Sequence, residues 1–329
     1  MSVPYAPTPL ASPIINPATG GYGLPVPYLS PSQYKFAPTA MDLSNLVVAG
    51  NQQTQEQALS DVIRRSSALM DRYCFGADPS SKGASLCATM SVENAYIKPL
   101  QGEIRLICDY KPIIELNALA IGSDPSNLID IDQYAAARIR FGKSTIFVPV
   151  DGTFNSARAP RPFLPTLSLR YGKLFAVWSY VNGYPHTKLA ISVSAGDTYI
   201  TVEDTNPAGG VVGIYPGTQL RIVDDDLTEY VTVESVNGSI INLVSPLRYN
   251  HELPYEPDFI PVTTLPADVE QAAIFMTTYL IKSRGDDALV IMEINEPMDE
   301  KSNRVDAYED LATAMEYLDH YRTVTKIKS

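Results

Sequence analysis

Residues that could perform acid–base or nucleophilic chemistry are few in this chain, and none stands in a catalytic spacing. The three histidines, His186, His251 and His320, form no H-x-x-x-H pair. A G-x-S-x-G motif, which places a nucleophilic serine on a sharp strand-to-helix turn, is absent from the sequence. We therefore predict no catalytic residue and no enzyme activity.

Carboxylates cluster at Asp224-Asp225-Asp226 and Glu229, and clustered carboxylates suit a hard cation such as Ca²⁺. Their spacing does not match an EF-hand loop, so we interpret the cluster as a solvated hairpin loop. Gly142-Lys143 and Gly172-Lys173 lack the preceding glycine of a phosphate-binding loop. The sequence predicts no bound metal and no cofactor.

The overall charge bears on partners. The chain has 329 residues and a net charge of -12, which argues against a nucleic-acid-binding surface as the main activity. A channel lined by negative charge would still let DNA pass without binding to it.

Cys74, Cys87 and Cys108 form no C-x-x-C pair and are predicted to be free thiols in a reducing compartment. No apolar run reaches about 18 residues and the N-terminus lacks a basic region and an apolar core, so we expect neither a transmembrane helix nor a secretory signal.

Residues 1–40 contain nine prolines with interleaved tyrosines. So many prolines argue against helix and central strand in this stretch. We predict an extended arm that lies on a neighbouring subunit, although a disordered tail is the alternative. The proposed aromatic anchors of the arm are Tyr5, Tyr22, Tyr28 and Tyr34.

Apolar residues at three-and-four spacing predict helices at about 54–75, 268–283 and 305–321. Thr54 with Gln57 suggests a capping box at the start of the first helix. Its polar face is either solvated or an inter-subunit surface, whose candidate residues are Asp61, Arg64, Arg65 and Asp71. The third helix is predicted to bury Tyr308, Leu311, Ala312, Met315 and Leu318.

Two β-rich regions are predicted. Short apolar runs between residues 86 and 182 indicate an antiparallel sheet, and the stretch Leu167–Pro185 combines the only tryptophan, Trp178, with an Asn182-Gly183 turn. Five or six more regularly alternating strands with turn signals between residues 187 and 252 suggest a small barrel or sandwich, here named the β-module. Exposed turns tolerate insertions, so we predict that the β-module is inserted at this turn into a host domain formed by residues 41–186 and 253–329.

Four segments together resemble a known family. They are L-x-x-V-I-R-R-S-S-x-L-M-D-R-Y-C in the first helix, R-L-I-C-D-Y-K-P-I, F-A-V-W-S-Y-V-N-G-Y-P, and L-P-A-D-V-E-Q-A-A-I-F-M. This set resembles the head–tail connector (adaptor) proteins of long-tailed bacteriophages. In that family the turn Y-x-x-G-Y precedes a helix that starts Leu-Pro-x-Asp, here Tyr180–Tyr184 and Leu265–Asp268. The resemblance covers roughly residues 40–285, and the β-module is similar to small β-modules of phage virion proteins.

The resemblance implies an α+β fold, with a helical connector-type domain, an antiparallel sheet region and the inserted module. It implies a structural protein of the virion neck, assembled in the host bacterial cytoplasm into a closed ring, commonly a dodecamer. Its partners would be the portal protein and a stopper, tail-terminator or tail protein, with DNA passing through and no membrane contact. The isolated positive charge of the chain end predicts a portal interface at Asp319, Tyr321, Arg322, Lys326 and Lys328.

Two other functions remain open at this point. A β-module on an exposed turn could belong to a carbohydrate-binding or adhesion protein of a virion or cell surface, which predicts surface aromatics such as Tyr199, Tyr215 and Tyr249. For Tyr199, which alternates with Ile200, we predict a place in the core. A depolymerase is the third interpretation, and the sequence offers no residue constellation for it.

Overall fold

The computed structural model describes residues 26–39, 53–75, 85–98, 103–122, 173–205, 210–283 and 299–322. Short pieces at 41, 43, 46–47, 124–126, 128–130, 140–141 and 144–149 complete the description. Helices combine with antiparallel sheets, one of which curls into a half-barrel, so the mixed α+β class is confirmed. The chain divides into two compact units, and the described residues of the first lie within Ala88–Gly183. The second unit combines segments within Pro17–Cys87 and Tyr184–Ser329.

The first unit contains two antiparallel sheets. Their strands are β1 (Thr89–Ile97), β2 (Glu103–Ile107), β3 (Ile113–Gly122), β4 (Leu128–Asp130), β5 (Arg140–Phe141), β6 (Thr145–Pro149) and β7 (Leu174–Asn182). One sheet has the order β1-β7-β3-β4 and the other β2-β6-β5. Both sheets contribute to one hydrophobic core, in which Leu106 and Ile146 pack with Ile121 and Trp178. Strand alternation explains this core, since Leu106 is fully buried whereas its neighbour Ile107 is 52% exposed.

The second unit contains a six-stranded antiparallel sheet with the order β8-β13-β10-β11-β12-β9. Its strands are β8 (His186–Lys188), β9 (Tyr199–Thr201), β10 (Gln219–Ile222), β11 (Glu229–Asn237), β12 (Ile240–Leu243) and β13 (Pro261–Thr263). The predicted number of strands is therefore correct. The sheet extends past both predicted ends of the β-module, residues 187 and 252, because β8 begins at His186 and β13 ends at Thr263.

Glycines with positive φ form the tight turns that the sequence indicates. Gly183 has φ +95° after β7, as the Asn182-Gly183 signal requires. Asn237-Gly238 is a signal for a two-residue hairpin loop, but in the hairpin between β11 and β12 the loop lies one residue later. Asn237 pairs with Ile240, and the two loop residues are Gly238, at φ +62°, and Ser239. A glycine at the first loop position is what a type II′ turn favours.

The second unit also holds the four described helices, α1 (Pro31–Phe36), α2 (Gln55–Phe75), α3 (Ala267–Ser283) and α4 (Asp299–Leu318). The Thr54–Gln57 capping box is present, with the Gln57 amide 3.2 Å from the Thr54 hydroxyl and the Gln57 side chain 3.0 Å from the Thr54 amide. The spacing of apolar residues predicts a buried stripe on α3 formed by Val269, Ala272, Ala273, Met276, Tyr279 and Leu280. The first four are buried, whereas Tyr279 and Leu280 are half-buried.

Two helix predictions are corrected. Helix α1 lies within the proline-rich arm, where we expected none, because Pro31 occupies the first turn, in which a missing amide hydrogen costs little. Ser30 caps it through a full capping box with Gln33. Of the residues predicted to be buried in α4, Leu318 is buried, Leu311 and Met315 are half-buried, and Ala312 is exposed, whereas Ala314 is buried instead. The side chain of Tyr308 is not among those that the structure describes, so the correction concerns Ala312 alone.

The division into units differs from the predicted host and guest. The continuous segment is Ala88–Gly183, which contains Trp178, whereas the β-module and Ala272 belong together to the second unit. The chain leaves the second unit at Cys87 and returns to it at Tyr184. These two residues form a parallel β-bridge, and the Tyr184 amide donates to the Leu86 carbonyl at 2.7 Å. Adjacent chain ends of this kind are typical of an inserted domain. The segment that interrupts the larger unit is thus the two-sheet region.

Candidate interaction site at the C-terminal end

The C-terminal end of the described chain is held against the start of α3 and the end of α2. Helix α4 packs along α3, burying Leu318 completely, and Lys282 forms an ion pair with Asp310 at 2.7 Å. A single 3₁₀ turn, Asp319–Tyr321, follows α4. The end of the last helix is therefore fixed by packing before the chain continues.

Tyr321 is the main polar anchor of this end. Its hydroxyl lies 2.8 Å from Oδ1 and 2.7 Å from Oδ2 of Asp268, a residue in the first turn of α3. The ring of Tyr184 meets the Tyr321 ring edge-on, with centroids 6.1 Å apart. Burial, followed by the hydrogen bond to Asp268, raises the pKa of Tyr321 well above its ordinary value. The Tyr321 hydroxyl consequently stays protonated and able to donate.

Asp319 and Arg322 form an exposed pair over Tyr73, near the end of α2. The Tyr73 hydroxyl donates to Asp319 Oδ1 at 2.7 Å, and the Arg322 guanidinium lies 4.9 Å from the Tyr73 ring centroid. Arg322 is also 3.5 Å from Asp319, and both side chains are more than half exposed. The hydrogen bond from Tyr73 lowers the pKa of Asp319 and raises that of Tyr73. The pair presents a carboxylate and a guanidinium at one place on the surface.

Of the predicted portal-interface residues, the structure therefore brings Asp319, Tyr321 and Arg322 together. Tyr321 is engaged within its own chain, whereas Asp319 and Arg322 remain accessible. Lys326 and Lys328 lie outside the described residues. Sequence reasoning missed Tyr73, Tyr184 and Asp268, which position this end. Their separation along the chain, 246 residues between Tyr73 and Asp319, leaves no local signal.

Of the four residues predicted for the inter-subunit face of α2, the structure separates Asp71 from the other three. Asp61 and Arg64 form an ion pair at 3.1 Å, and each side chain is over 40% exposed. Arg65 is exposed. Asp71 does not belong to this face, because its carboxylate accepts hydrogen bonds from Tyr28 and from the amide of Leu86.

Two predicted arm anchors contact their own chain. Tyr28 and Tyr34 are 2% and 1% exposed, and the Tyr34 hydroxyl lies 3.0 Å from Thr278 Oγ1 on α3. Both residues do anchor the arm, but the anchoring is intramolecular, because these apolar rings find buried sites between α2, β8 and α3. Tyr5 and Tyr22 lie outside the described residues.

Two carboxylates of the predicted cluster, those of Asp224 and Glu229, contact a histidine. His251 is fully buried, with Nδ1 2.8 Å from Asp224 Oδ2 and Nε2 3.0 Å from Glu229 Oε1. Glu229 also accepts from the amides of Arg248 and Tyr249. Among the described residues, no group of three His, Cys, Asp or Glu side chains has the geometry to hold a metal ion. The arrangement is an internal polar network that joins the 3₁₀ turn Asp225–Leu227 to the end of the β-module.

Aromatic side chains do reach the surface of the second unit. Tyr199 is 48% exposed, so its predicted place in the core is wrong, because Tyr199 faces away from the core that Ile200 enters. Tyr249 is exposed as predicted, and Tyr215 is half-buried. Tyr230 and Tyr255 are more exposed still, at 74% and 95%.

None of the helices in the described part of the chain has the length and apolar character needed to cross a membrane. Comparison with protein-family models gives no match, and a search of curated proteins gives none either.

Proposed function

We propose that this protein is a structural protein of the virion neck, a head–tail adaptor that joins the portal vertex to the stopper or tail. In this proposal copies of the chain form a closed ring, commonly of twelve, and extend the DNA channel. A closed ring needs two different complementary surfaces on each subunit. The net charge of -12 suits a channel wall that DNA passes without binding.

The single observation that supports this function best is the anchoring of the C-terminal end. Tyr321 on Asp268 and Asp319 on Tyr73 hold the chain in place up to Arg322, directly before residues 323–329. That segment contains Lys326 and Lys328, and Arg322 directly before it is exposed. A basic segment that starts at a fixed point can be presented to a partner in a defined orientation, which reduces the entropy lost on docking.

The decisive experiment uses purified full-length protein and the portal protein of the same virus. We expect rings by negative-stain imaging and co-sedimentation of these rings with the portal. Deleting residues 322–329 should abolish portal binding while ring formation persists. A matched control, Lys35→Gln, changes an exposed cation that pairs with Glu56 at 2.7 Å and should leave binding intact. Failure of the intact protein to form rings, or portal binding unchanged by the deletion, would contradict the proposal.

A second candidate is carbohydrate binding, which the exposed tyrosines favour. Flat aromatic faces at the surface are suited to stacking on sugar rings, and Tyr230 and Tyr255 are mostly exposed. Under this alternative the full-length protein should bind members of a glycan array, and Tyr230→Ala or Tyr255→Ala should weaken that binding. Absence of glycan binding by the intact protein would remove this candidate.

A further inference from the structure

Three large apolar side chains are exposed on adjoining elements of the second unit. Phe36 at the end of α1 is 72% exposed, Leu227 in the 3₁₀ turn Asp225–Leu227 is 41% exposed, and Tyr255 is 95% exposed. These three residues are here named the exposed patch. Single exposed apolar residues are common on protein surfaces, but a group of them at one place is typical of an interaction surface.

Asp258 connects the elements that carry the exposed patch. The hydroxyl and the amide of Ser32 on α1 both donate to the Asp258 carboxylate, the amide at 3.3 Å. Phe36 follows Ser32 by one helical turn, so the two residues lie on the same side of α1. The Asp258 amide donates to the Tyr255 carbonyl at 3.1 Å, and α1 packs against the 3₁₀ turn that contains Leu227. The three side chains therefore belong to one place on the surface.

The base of the exposed patch is held by contacts within the unit. Tyr34 is buried, with its hydroxyl 3.0 Å from Thr278 Oγ1. Lys35 forms an ion pair with Glu56 on α2 at 2.7 Å. Phe259, directly after Asp258, is buried. Because these neighbours are fixed, a partner that docks on the patch loses little additional entropy by ordering it.

The chemistry of the exposed patch selects its partner. The carboxylates of Asp225, Asp226 and Glu256, next to the apolar residues of the patch along the chain, are exposed. An acidic partner would be repelled there, whereas an uncharged one would not. Residues 1–25 of this chain contain six prolines and no Asp, Glu, Lys or Arg. Proline-rich segments in the polyproline II conformation bind to surfaces lined by aromatic side chains.

Within residues 1–25, the stretch Pro4-Tyr5-Ala6-Pro7-Thr8-Pro9 has the spacing that such surfaces recognise. A polyproline II helix has about three residues per turn, so Pro4 and Pro7 would lie on the same side. The chain between Pro9 and Val26 can span up to about 50 Å at about 3.1 Å per residue. A domain the size of the second unit is roughly 40 Å across. The stretch is therefore long enough to reach a neighbouring copy.

We propose that residues 4–9 of one copy bind to the exposed patch of a neighbouring copy. Such binding would deepen the adaptor function proposed above and rests on it for the choice of a second copy as the partner, since a closed ring needs two different complementary surfaces on each subunit. Residues 26–36 stay on their own chain, where Tyr28 and Tyr34 are buried. The arm is then anchored at its base in one copy and near its beginning in the next.

Photo-crosslinking of the full-length protein tests this contact. The photoreactive residue p-benzoylphenylalanine takes the place of Tyr5, and the sample is irradiated after assembly. We expect a covalent dimer on a denaturing gel, in which mass spectrometry finds residue 5 linked to peptides that contain Phe36, Leu227 or Tyr255. Cross-links confined to single chains, cross-links to other parts of the surface, or no cross-linked dimer would overturn the proposal.

Substitutions in the exposed patch provide an independent test. Phe36→Ala combined with Tyr255→Ala removes both aromatic faces and should lower the yield of cross-linked dimer at least about tenfold. Tyr230→Ala is the matched control, because it removes a ring on β11 that is 74% exposed and outside the patch, and it should leave the yield unchanged. All three side chains are exposed, so the variants should fold, which circular dichroism can verify. Equal yields from the patch variant and the control would overturn the proposal.

Negative-stain imaging of the same samples separates this contact from the adaptor function. Rings that form without a cross-link between residue 5 and the exposed patch would overturn the contact alone and leave the adaptor proposal intact. A dimer cross-linked at the patch in samples without rings would support the contact and contradict the adaptor proposal.

Discussion

Arg221 on β10 and Glu270 on α3 form an ion pair that connects the six-stranded sheet to a helix. Their side chains are only 17% and 15% exposed, so neither charge is well solvated. Burial raises the pKa of Glu270, an effect that the charge of Arg221 opposes. Removing one partner of such a pair leaves the other charge buried and uncompensated.

Glu270→Ala should therefore lower the free energy of unfolding by about 3 kcal/mol, measured by chemical denaturation. The matched control is Glu203→Ala, which removes the more exposed partner of Lys188, 3.0 Å away. The control should cost less than about 1 kcal/mol. If the two substitutions lowered the free energy of unfolding equally, the ion pair of Arg221 with Glu270 would stabilise the protein no more than an exposed pair does.

The anchor at Tyr321 gives a second prediction. Tyr321→Phe keeps the ring against Tyr184 but loses the hydrogen bond to Asp268, so the end of α4 should fray. We expect the free energy of local opening of the amides at this end to fall by about 1 kcal/mol, measured by hydrogen exchange. Tyr317→Phe is the control, because its ring keeps the stacking on Phe275. Under the adaptor proposal, Tyr321→Phe should also weaken portal binding more than Tyr317→Phe does.

The core of the first unit gives a third prediction, which compares two neighbouring residues of β2. Leu106→Ala removes a fully buried side chain and should destabilise the unit by about 2–5 kcal/mol. Ile107→Ala removes a side chain that is 52% exposed and should have a much smaller effect. Trp178 is the only tryptophan and is buried in the same core, so its fluorescence during denaturation measures the stability of this unit. If Leu106→Ala and Ile107→Ala lowered the free energy of unfolding by similar amounts, the inward position of Leu106 and the outward position of Ile107 on β2 would be contradicted.

The buried histidine network gives a fourth prediction. His251→Ala leaves Glu229 buried without its imidazole partner, although the backbone donors of Arg248 and Tyr249 remain. We expect a loss of several kcal/mol in the free energy of unfolding, measured by thermal or chemical denaturation. His320→Ala changes an exposed histidine and should have little effect. Unchanged stability of His251→Ala would mean that the network contributes nothing net.

Local periodicity was sufficient to predict much of the secondary structure. The stripe Val269, Ala272, Ala273 and Met276, the Thr54 cap and the number of strands near the β-module all follow from patterns a few residues long. Such patterns fail where the same residue types serve two purposes. Pro31 reads as a helix breaker but is suited to a first helical turn, and Tyr199 alternates with Ile200 and yet faces outward.

The contacts that matter most at the candidate site could not be predicted in this way. Charge and position indicated Asp319, Tyr321 and Arg322, because a basic segment at the end of an acidic chain is unusual. Their partners Tyr73 and Asp268 are brought near by packing of α4 on α3, which no spacing in the sequence records. The same limitation applies to the division into units, because pairing of Leu86–Cys87 with Tyr184 joins positions almost a hundred residues apart.

The bridge between Cys87 and Tyr184 makes residues 88–183 a removable cassette. Both ends of the cassette lie side by side, since Thr89 pairs with Asn182 within the first unit. A short glycine linker from Cys87 to Tyr184 would restore chain continuity with little loop-closure entropy. Recombination at these two positions could therefore exchange or delete the two-sheet region while the helices and the six-stranded sheet of the second unit keep their sequence unchanged.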